Sequence, residues 1–388
     1  MKIGIHFFGC KVNQYEAARW AIGLGGNHAS NLSDADIIVL FSCVVTHKAE
    51  AEVRRFVQKW RAAGKRIILT GCGTNITLTD LAGEKVTLVP IQELDNFMKQ
   101  LGNFSAPSVI PFYPDRSRGF VKVEDGCSWR CGYCVSALER GGVRSRPLEE
   151  ILLEIRLMSQ RGISEVVITG TNLMLWRDGQ SNYLDLIESV SREAAQENMR
   201  VRLSSVYPEM VNRRMIELFS VYPLARHLHI SLQSASDRVL KTMNRAPLRN
   251  LAEMLAWLKN LDDGFAFTAD IIVGYPTETE QDFLMTMSWL SEFRFSKVHV
   301  FPFSVRPNTP ASRMRPLPSA VVKRRAGALN ELSETLKNSF IRSQKGSQRP
   351  AVFLKNEGLA LTDNYIYVPS QPFLGIKRVP IVDGSYII

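Results

Sequence analysis

Three cysteines within eight residues constrain this chain more than any other feature, because they can grip one metal centre only if the chain folds tightly around it. Cys127, Cys131 and Cys134 are spaced C-x3-C-x2-C and follow a strand predicted at 120–123. No fourth cysteine and no histidine lies nearby in the sequence. A structural zinc normally takes four ligands, whereas three thiolates can hold a cubane iron–sulfur cluster with one iron left open. The spacing therefore favours such a cluster over zinc and over three cysteines that merely pack.

Composition and charge narrow the class of protein. The chain has 388 residues, of which 45% are hydrophobic and 22% charged, which is typical of a globular protein with two or three domains. It contains no run of about eighteen apolar residues and no signal-peptide pattern, so we expect no membrane partner and a cytoplasmic location. Thiols stay reduced there, which favours metal binding by the six cysteines over disulfides. The net charge of +10 favours a polyanionic partner without identifying it.

The first 105 residues alternate strand and helix patterns. Strands are predicted at 3–8, 37–41 and 67–70, with helices at 13–22 and 49–63, and this order predicts an α/β domain with a mostly parallel sheet. One cysteine follows each strand within two residues: Cys10, Cys43 and Cys72. Because the carboxyl ends of parallel strands meet at one edge of the sheet, we expect these thiols to converge there. The alternative is three separate core cysteines.

A second series of strands and helices begins at residue 119, after a proline-rich linker predicted at 106–118. Its predicted strands are 120–123, 165–169, 201–204, 227–232, 267–273 and 297–303. Six strands rather than eight predict an incomplete (βα)6 barrel over 119–343, with its site at the carboxyl ends of the strands. Short alternating strands in 344–388 predict a small all-β module. The predicted fold class is therefore α/β with a C-terminal β module.

Polar residues gather where the predicted barrel strands end. Gly170 and Asn172 follow the second strand, Ser204 closes the third, Gln233 follows the fourth and Asp270 lies in the fifth. Each is ordinary turn chemistry when taken singly. Together, at the same end of successive strands, they predict a polar rim around a ligand.

The cysteine spacing, with Tyr133 just before Cys134, resembles that of the radical S-adenosylmethionine (SAM) enzymes. In that family three cysteines hold a [4Fe–4S] cluster, and the open iron binds the amino and carboxylate groups of SAM. Electron transfer to SAM then releases a 5′-deoxyadenosyl radical. The resemblance implies that Cys127, Cys131 and Cys134 are the catalytic cluster ligands. It also implies that the following residues bind SAM: Tyr133, Gly170, Asn172, Ser204, Gln233 and Asp270.

The N-terminal segment Gly9-Cys10-Lys11-Val12-Asn13 resembles the start of the methylthiotransferases, which are radical SAM enzymes with an extra N-terminal cluster domain. Within that family it resembles the branch that acts on N6-threonylcarbamoyladenosine beside the tRNA anticodon. Further matches are 140–141, 144–147, 202–205, 231–234, 243–245 and 299–304. The resemblance runs from residue 1 to about 342. The tail resembles the TRAM RNA-binding domain of the family.

The family resemblance implies that Cys10, Cys43 and Cys72 hold a second [4Fe–4S] cluster, which binds or relays sulfur. The expected reaction inserts a methylthio group at C2 of N6-threonylcarbamoyladenosine, with SAM as both methyl donor and radical source. The expected partners are tRNA, SAM, an electron donor and a sulfur source. Two alternatives stay open. One is a methylthiotransferase for another modified adenosine or a ribosomal-protein side chain, and the other is a non-catalytic iron–sulfur or zinc RNA-binding protein.

The segment 306–349 is strongly basic, with ten Lys and Arg residues against two acidic ones. A helix is predicted over 320–342, and we expect Arg324 and Arg325 on it to contact RNA phosphates. The alternative is a helix face that is simply solvated.

Overall fold

The computed structural model describes residues 1–110, 117–355 and 357–387. The predicted linker at 106–118 falls partly outside this range, since 111–116 are not described. The described residues form two compact units. The first contains 1–110, 124–145 and 304–313, and the second contains 117–123, 146–303 and 314–387. None of the helices in the described ranges is long and apolar enough to cross a membrane.

The helices and strands alternate along most of the chain. Up to residue 145 the elements are β1 (Ile3–Phe7), α1 (Lys11–Leu24), β2 (His28–Ala29), β3 (Ile37–Ser42), α2 (His47–Ala62), β4 (Arg66–Gly71), β5 (Val86–Leu88), α3 (Leu94–Gly102), β6 (Arg118–Lys122), β7 (Glu124–Asp125), α4 (Ser136–Arg140) and β8 (Arg144–Ser145). From there to residue 261 they are α5 (Leu148–Gln160), β9 (Glu165–Thr169), β10 (Arg177–Asp178), β11 (Ser181–Asn182), α6 (Tyr183–Gln196), β12 (Arg200–Leu203), β13 (Ser205–Val206), α7 (Arg213–Val221), β14 (His227–Gln233), α8 (Asp237–Thr242) and α9 (Leu251–Leu261). The last are β15 (Ala266–Val273), α10 (Glu280–Glu292), β16 (Lys297–Pro302), α11 (Ser319–Gln344), β17 (Gln348–Leu354), β18 (Leu359–Thr362), β19 (Tyr367–Pro369) and β20 (Ile376–Pro380).

The first unit is built on a parallel five-stranded sheet in the order β2-β1-β3-β4-β5. Strand β3 is buried at every position, which is the pattern of a strand covered on both faces. On one face, Phe41 packs with Trp20 of α1 and Met98 of α3. On the other face, Leu40 packs with Val53 of α2. The predicted N-terminal parallel α/β fold is confirmed.

The second unit contains seven parallel strands, or six when β12 and β13 are counted as one interrupted strand, as expected for an incomplete barrel. Strands β6, β9 and β12 form one sheet, and β13, β14, β15 and β16 form another. The strand predicted at 201–204 corresponds to β12, which ends at Leu203, and a further short strand, β13, begins after Ser204. The backbone N–H of Ser204 still donates to the carbonyl oxygen of Ile168 at 3.0 Å. The predicted partial (βα)6 barrel is confirmed.

The C-terminal part of the second unit is a four-stranded antiparallel sheet in the order β19-β18-β17-β20. This confirms the predicted all-β module, although the sequence did not indicate β18. The long helix before it, α11, is two residues longer at its carboxyl end and one residue longer at its start than the predicted 320–342.

A buried charge cluster ties this module to the barrel strands. The carboxylate of Glu165, on β9, is fully buried and accepts hydrogen bonds from Arg118, Arg200 and Arg202. The other donors of Arg200 reach two carbonyl oxygens of the module, at 2.8 and 3.0 Å, and those of Arg202 reach two more, at 3.1 and 2.9 Å. One carboxylate and three guanidinium groups therefore lie between the start of the barrel strands and the β module, all within the second unit.

Candidate functional site

Each of the three N-terminal cysteines lies just beyond the carboxyl end of a strand. Cys10 follows β1, Cys43 follows β3 and Cys72 follows β4, and these strands are neighbours in the sheet. The structure therefore brings the three cysteines to one edge.

The turn before Cys10 leaves no room for a side chain. Gly9 has a φ of +87°, and a Cβ atom placed on it would lie 2.5 Å from Cβ and 2.6 Å from Sγ of Cys43. Only glycine fits such a position without displacing a neighbour. The backbone beside Cys10 thus approaches the Cys43 side chain directly.

Two buried polar side chains hold the strand ends that carry the cysteines. The side-chain amide of Asn13 donates to the carbonyl oxygens of Phe8 and Ser42, at 2.9 and 2.8 Å, and so links the ends of β1 and β3. The hydroxyl of Ser42 lies 2.7 Å from the carbonyl oxygen of Thr70 and 2.5 Å from that of Cys72. The backbone positions of all three cysteines are therefore coupled by hydrogen bonds.

Burial controls the protonation of these thiols. It raises the pKa of Cys43 to about 11 and that of Cys72 to about 12, while the nearby positive charge of Arg140 acts to lower both pKa values. A cluster binds thiolates rather than thiols, so its assembly at this edge must release protons.

The second triplet lies on the loop between β7 and α4, in the same unit. Cys131 is buried, while Cys127 and Cys134 are partly exposed. The backbone N–H of Trp129 donates to Cys127 Sγ at 3.4 Å, and Tyr133, between the last two cysteines, is half-buried. All three thiols are free of disulfides.

A short antiparallel pairing of β7 and β8 closes the base of this loop. Gly126 has a φ of +85°, and a Cβ atom there would lie 2.1 Å from the carbonyl oxygen of Gly142. The N–H of Cys127 donates to the carbonyl oxygen of Gly141 at 3.0 Å. The glycine therefore permits the close backbone contact that positions the first cysteine.

Each triplet fits an iron–sulfur cluster by its donors. In the described part of the chain, no three His, Cys, Asp or Glu side chains lie close enough together to hold one metal ion. A cubane needs no such convergence, because each thiolate binds a different iron atom. Three thiols without a fourth ligand match the incomplete shell of such a cluster better than the closed tetrahedral shell of zinc.

Two residues that follow the second triplet bond to the first triplet or to the loop just after it, and the sequence did not assign either a role. Arg140, which is 2% exposed, donates from Nε to Cys72 Sγ at 3.1 Å and from Nη1 to Asp125 at 2.7 Å. The Glu139 carboxylate accepts from the backbone N–H groups of Asn75 and Thr77, just after Cys72. The only sequence signal for Arg140 was its place in a matching segment.

In the second unit, the polar residues predicted to bind SAM lie at or near the barrel strand ends. Gly170 directly follows β9, and Asn172 is buried and accepts from the N–H of Met174. Ser204 lies between β12 and β13. Gln233 ends β14 with a φ of +69°, beside a shift in the strand register. Such a backbone conformation is unusual for a non-glycine residue and turns the chain at the strand end.

Asp270 lies within β15 rather than at its end. It pairs with Nε2 of His229 at 3.0 Å, and Nδ1 of that histidine is 2.7 Å from the hydroxyl of Thr268. The sequence offered no signal for this pair, because the two residues lie 41 positions apart on neighbouring strands.

The prediction that Arg324 and Arg325 contact RNA phosphates is wrong for Arg325. This residue is 4% exposed and donates to the buried carboxylate of Glu278 at 2.6 Å. Arg324 is exposed and pairs with Glu280 at 2.7 Å. Arg306, in the first unit, is buried as well and bonds Glu50 and the loop after Cys43. Some of the positive charges of the basic segment are therefore neutralised by ion pairs within the protein.

Comparison with known proteins gives two family models and several relatives. Residues 121–290 match the model of the Radical SAM superfamily, and 2–89 match that of the uncharacterized protein family UPF0004. The chain is 37% identical to the threonylcarbamoyladenosine tRNA methylthiotransferase MtaB of Thermotoga maritima, over 88% of this chain and 83% of that protein. It is 30% identical to the protein of the same name from Aquifex aeolicus, over 98% and 99%.

Solved structures share the fold. The radical SAM methyltransferase TsrM from Kitasatospora setae, solved with tryptophan and a SAM analogue, has a TM-score of 0.60. The alignment covers 80% of this chain and 75% of that one, at 11% identity. At this identity the likeness concerns the fold alone.

Proposed function

The chain belongs to the methylthiotransferase family of radical SAM enzymes, and we propose that it inserts a methylthio group at C2 of N6-threonylcarbamoyladenosine in tRNA. The observation that carries this function is its 37% identity, along most of both chains, to an enzyme named for that substrate. The chain also matches the radical SAM model over 121–290. Its substrates are tRNA and SAM, and its cofactors are [4Fe–4S] clusters.

We assign the two cysteine triplets to two clusters. Cys127, Cys131 and Cys134 hold the cluster that binds SAM, and Cys10, Cys43 and Cys72 hold the second one. When bound, the clusters and SAM supply the electron, the radical, the methyl group and a site for sulfur. The support from the chain itself is two sets of three cysteines without disulfides, with hydrogen bonds that couple the strand ends of the first set and close backbone contacts at the start of the second.

The residues at the barrel strand ends are proposed to orient SAM. Gly170 leaves room for the ligand to approach the backbone, while Asn172 and Gln233 can both donate and accept hydrogen bonds. Ser204, Asp270 and Tyr133 complete the proposed set. An electron donor and a sulfur source are needed to balance the reaction, and we propose both as partners.

The experiment that tests this function uses reconstituted protein with SAM, reductant, sulfide and tRNA. We expect about eight iron and about eight sulfide per chain, by the count for two cubanes. Mass spectrometry of digested tRNA should show the methylthio derivative of N6-threonylcarbamoyladenosine. A tRNA with N6-isopentenyladenosine is the matched control, and methylthiolation of that tRNA instead would contradict the assigned substrate.

Two sets of variants test which cluster is needed for SAM cleavage and which for sulfur insertion. Replacing Cys127, Cys131 and Cys134 with alanine should leave about four iron per chain and abolish SAM cleavage. Cys43→Ala should still yield 5′-deoxyadenosine but no methylthio product. Persistent methylthiolation by Cys43→Ala would refute the assignment of the second cluster.

A further inference from the structure

We propose that Arg140 is a positioning residue that joins the two cysteine triplets, and that its hydrogen bond to Cys72 raises the reduction potential of the cluster held by Cys10, Cys43 and Cys72. This inference rests on the proposed function, because it takes the N-terminal triplet as cluster ligands. It goes beyond that function by giving a residue outside both triplets a defined effect on one cluster.

The guanidinium of Arg140 reaches three groups from a fully enclosed position. Nε donates to Cys72 Sγ at 3.1 Å, Nη1 donates to Asp125 Oδ1 at 2.7 Å, and Nη2 donates to Asn13 Oδ1. Asp125 lies two residues before Cys127, and Asn13 holds the strand ends beside Cys10 and Cys43. One planar group thus connects the base of the second cysteine loop to the backbone network of the first triplet.

Glu139, which precedes Arg140 on α4, links this helix to the backbone that follows Cys72. The Glu139 carboxylate is fully buried and accepts from the N–H groups of Asn75 and Thr77 at 3.0 and 2.9 Å, and from the Thr77 hydroxyl at 2.7 Å. The side-chain amide of Asn75 returns a hydrogen bond to the Glu139 carbonyl at 2.8 Å. The short helix after Cys134 is therefore fastened both to Cys72 and to the loop that follows it.

The contact with Cys72 has an electrostatic consequence. Hydrogen bonds to the sulfur ligands and the net charge nearby set the reduction potential of an iron–sulfur cluster. Reduction adds a negative charge, and a buried positive charge that donates to a ligand sulfur stabilises the reduced form. Arginine suits this place because its charge is permanent and its donors form a fixed fork, so one residue can bond sulfur, carboxylate and amide together.

The competing explanation is a structural ion pair between Arg140 and Asp125, with the contact to Cys72 incidental. The two explanations differ in what removal of each partner does. Asp125→Asn weakens the ion pair but leaves the donor to Cys72 in place. Arg140→Gln removes the charge and the donor, and Arg140→Lys keeps the charge without the fork.

The test measures each cluster by itself in the full-length chain. Replacing Cys127, Cys131 and Cys134 with alanine leaves the N-terminal cluster, and replacing Cys10, Cys43 and Cys72 leaves the other. In each background, iron and sulfide are counted and the midpoint potential is followed by electron paramagnetic resonance. The variants are Arg140→Gln, Arg140→Lys, Asp125→Asn and the double variant Arg140→Gln/Asp125→Asn, which leaves no buried carboxylate without its cation.

We expect Arg140→Gln and the double variant to shift the N-terminal cluster to a more negative midpoint potential. Arg140→Lys should shift it less, and Asp125→Asn should shift it less than Arg140→Gln does. The potential of the other cluster should change little. Arg144→Gln is the matched control, because this half-exposed arginine on the same segment lies 3.8 Å from Asp125 and donates to the carbonyl oxygens of Arg140 and Gly142.

The midpoint potentials and the iron counts together distinguish the proposal from its alternatives. Unchanged N-terminal potentials in both Arg140→Gln variants, or an equal shift of both clusters, would overturn the proposal. Iron loss from the N-terminal cluster alone, with the other cluster retained, would support the positioning role, whereas equal loss from both would mark Arg140 as a general folding residue. If wild-type protein makes no methylthio product, the proposed function fails instead, whatever the potentials show.

Discussion

Removal of the Glu165 charge gives the sharpest test of the buried charge cluster that Glu165 forms with three arginines in the second unit. Glu165 Oε1 accepts from Arg118 and Arg202, and Oε2 accepts from Arg200 and Arg202, at 2.6 to 3.1 Å. In Glu165→Gln, one of these oxygens becomes an NH2 group that faces two N–H donors. The change also leaves three guanidinium groups, two of them almost fully buried, without their shared carboxylate.

The magnitude follows from the number of contacts and their burial. At an effective dielectric constant of about 20, a pair of unit charges at about 4 Å is worth about 4 kcal/mol, and desolvation offsets much of it. Removing one partner of a buried pair typically costs about 3–5 kcal/mol, because the other charge stays buried and unpaired. With three partners affected, we expect Glu165→Gln to lose at least about 4 kcal/mol in the free energy of unfolding.

The pH dependence supplies an independent check of the same network. Burial alone would raise the pKa of Glu165, but the three arginines together hold it well below its usual range. The carboxylate therefore contributes stability above the unfolded-state pKa of 4.5, and this contribution is lost as pH falls below that value. The difference between wild type and Glu165→Gln should shrink in the same direction.

Urea denaturation followed by circular dichroism at several pH values measures both effects. Glu193→Gln is the matched control, because it removes one ion pair, with the half-exposed Arg156 at 3.1 Å, and should change stability by about 1 kcal/mol or less. A loss below about 1 kcal/mol in Glu165→Gln, or a loss that stays constant down to acid pH, would refute the reasoning.

Two further predictions concern the buried Arg325 and the crowded turn at Gly9. Arg325→Met should lower the free energy of unfolding by about 3–5 kcal/mol, because it leaves a buried carboxylate unpaired. Arg324→Met, at an exposed pair, should lower it by about 1 kcal/mol or less, and equal losses in urea denaturation would contradict this prediction. Gly9→Ala should displace Cys43 and lower the iron content, measured by chemical analysis, from about eight toward about four per chain while SAM cleavage persists. Gly26→Ala is the control, because open space surrounds that glycine, and it should keep the full iron count.

The sheet architecture could be predicted because its signals are local. Apolar runs alternate with amphipathic patterns along the chain, and this alternation predicts parallel strands with crossover helices. The position of a cysteine after each of three strands was also visible, since it depends only on sequence spacing. The predicted start of β3 agrees with the structure, and its end and both ends of β4 differ by one residue.

The division of the barrel strand at Ser204 and the left-handed residue Gln233 were not predictable in this way. Both depend on how neighbouring strands pair, since β14 shifts its register between Ile230 and Gln233. A run of apolar and polar residues carries no information about such a shift. Likewise, the count of basic residues in 306–349 could not reveal that Arg325 has a carboxylate partner 47 positions earlier.

Buried arginines show why composition alone could not separate stability from chemistry. Arg200 and Arg202 bond one carboxylate and several carbonyl oxygens, so their charges act on groups that undergo no chemistry, and their removal should affect folding. Arg140 is equally buried, but one of its partners is the sulfur of Cys72. The same side chain with the same burial therefore predicts a loss of stability in one unit and a shifted reduction potential in the other. The identity of the acceptor atom, which only the structure provides, decides between the two effects.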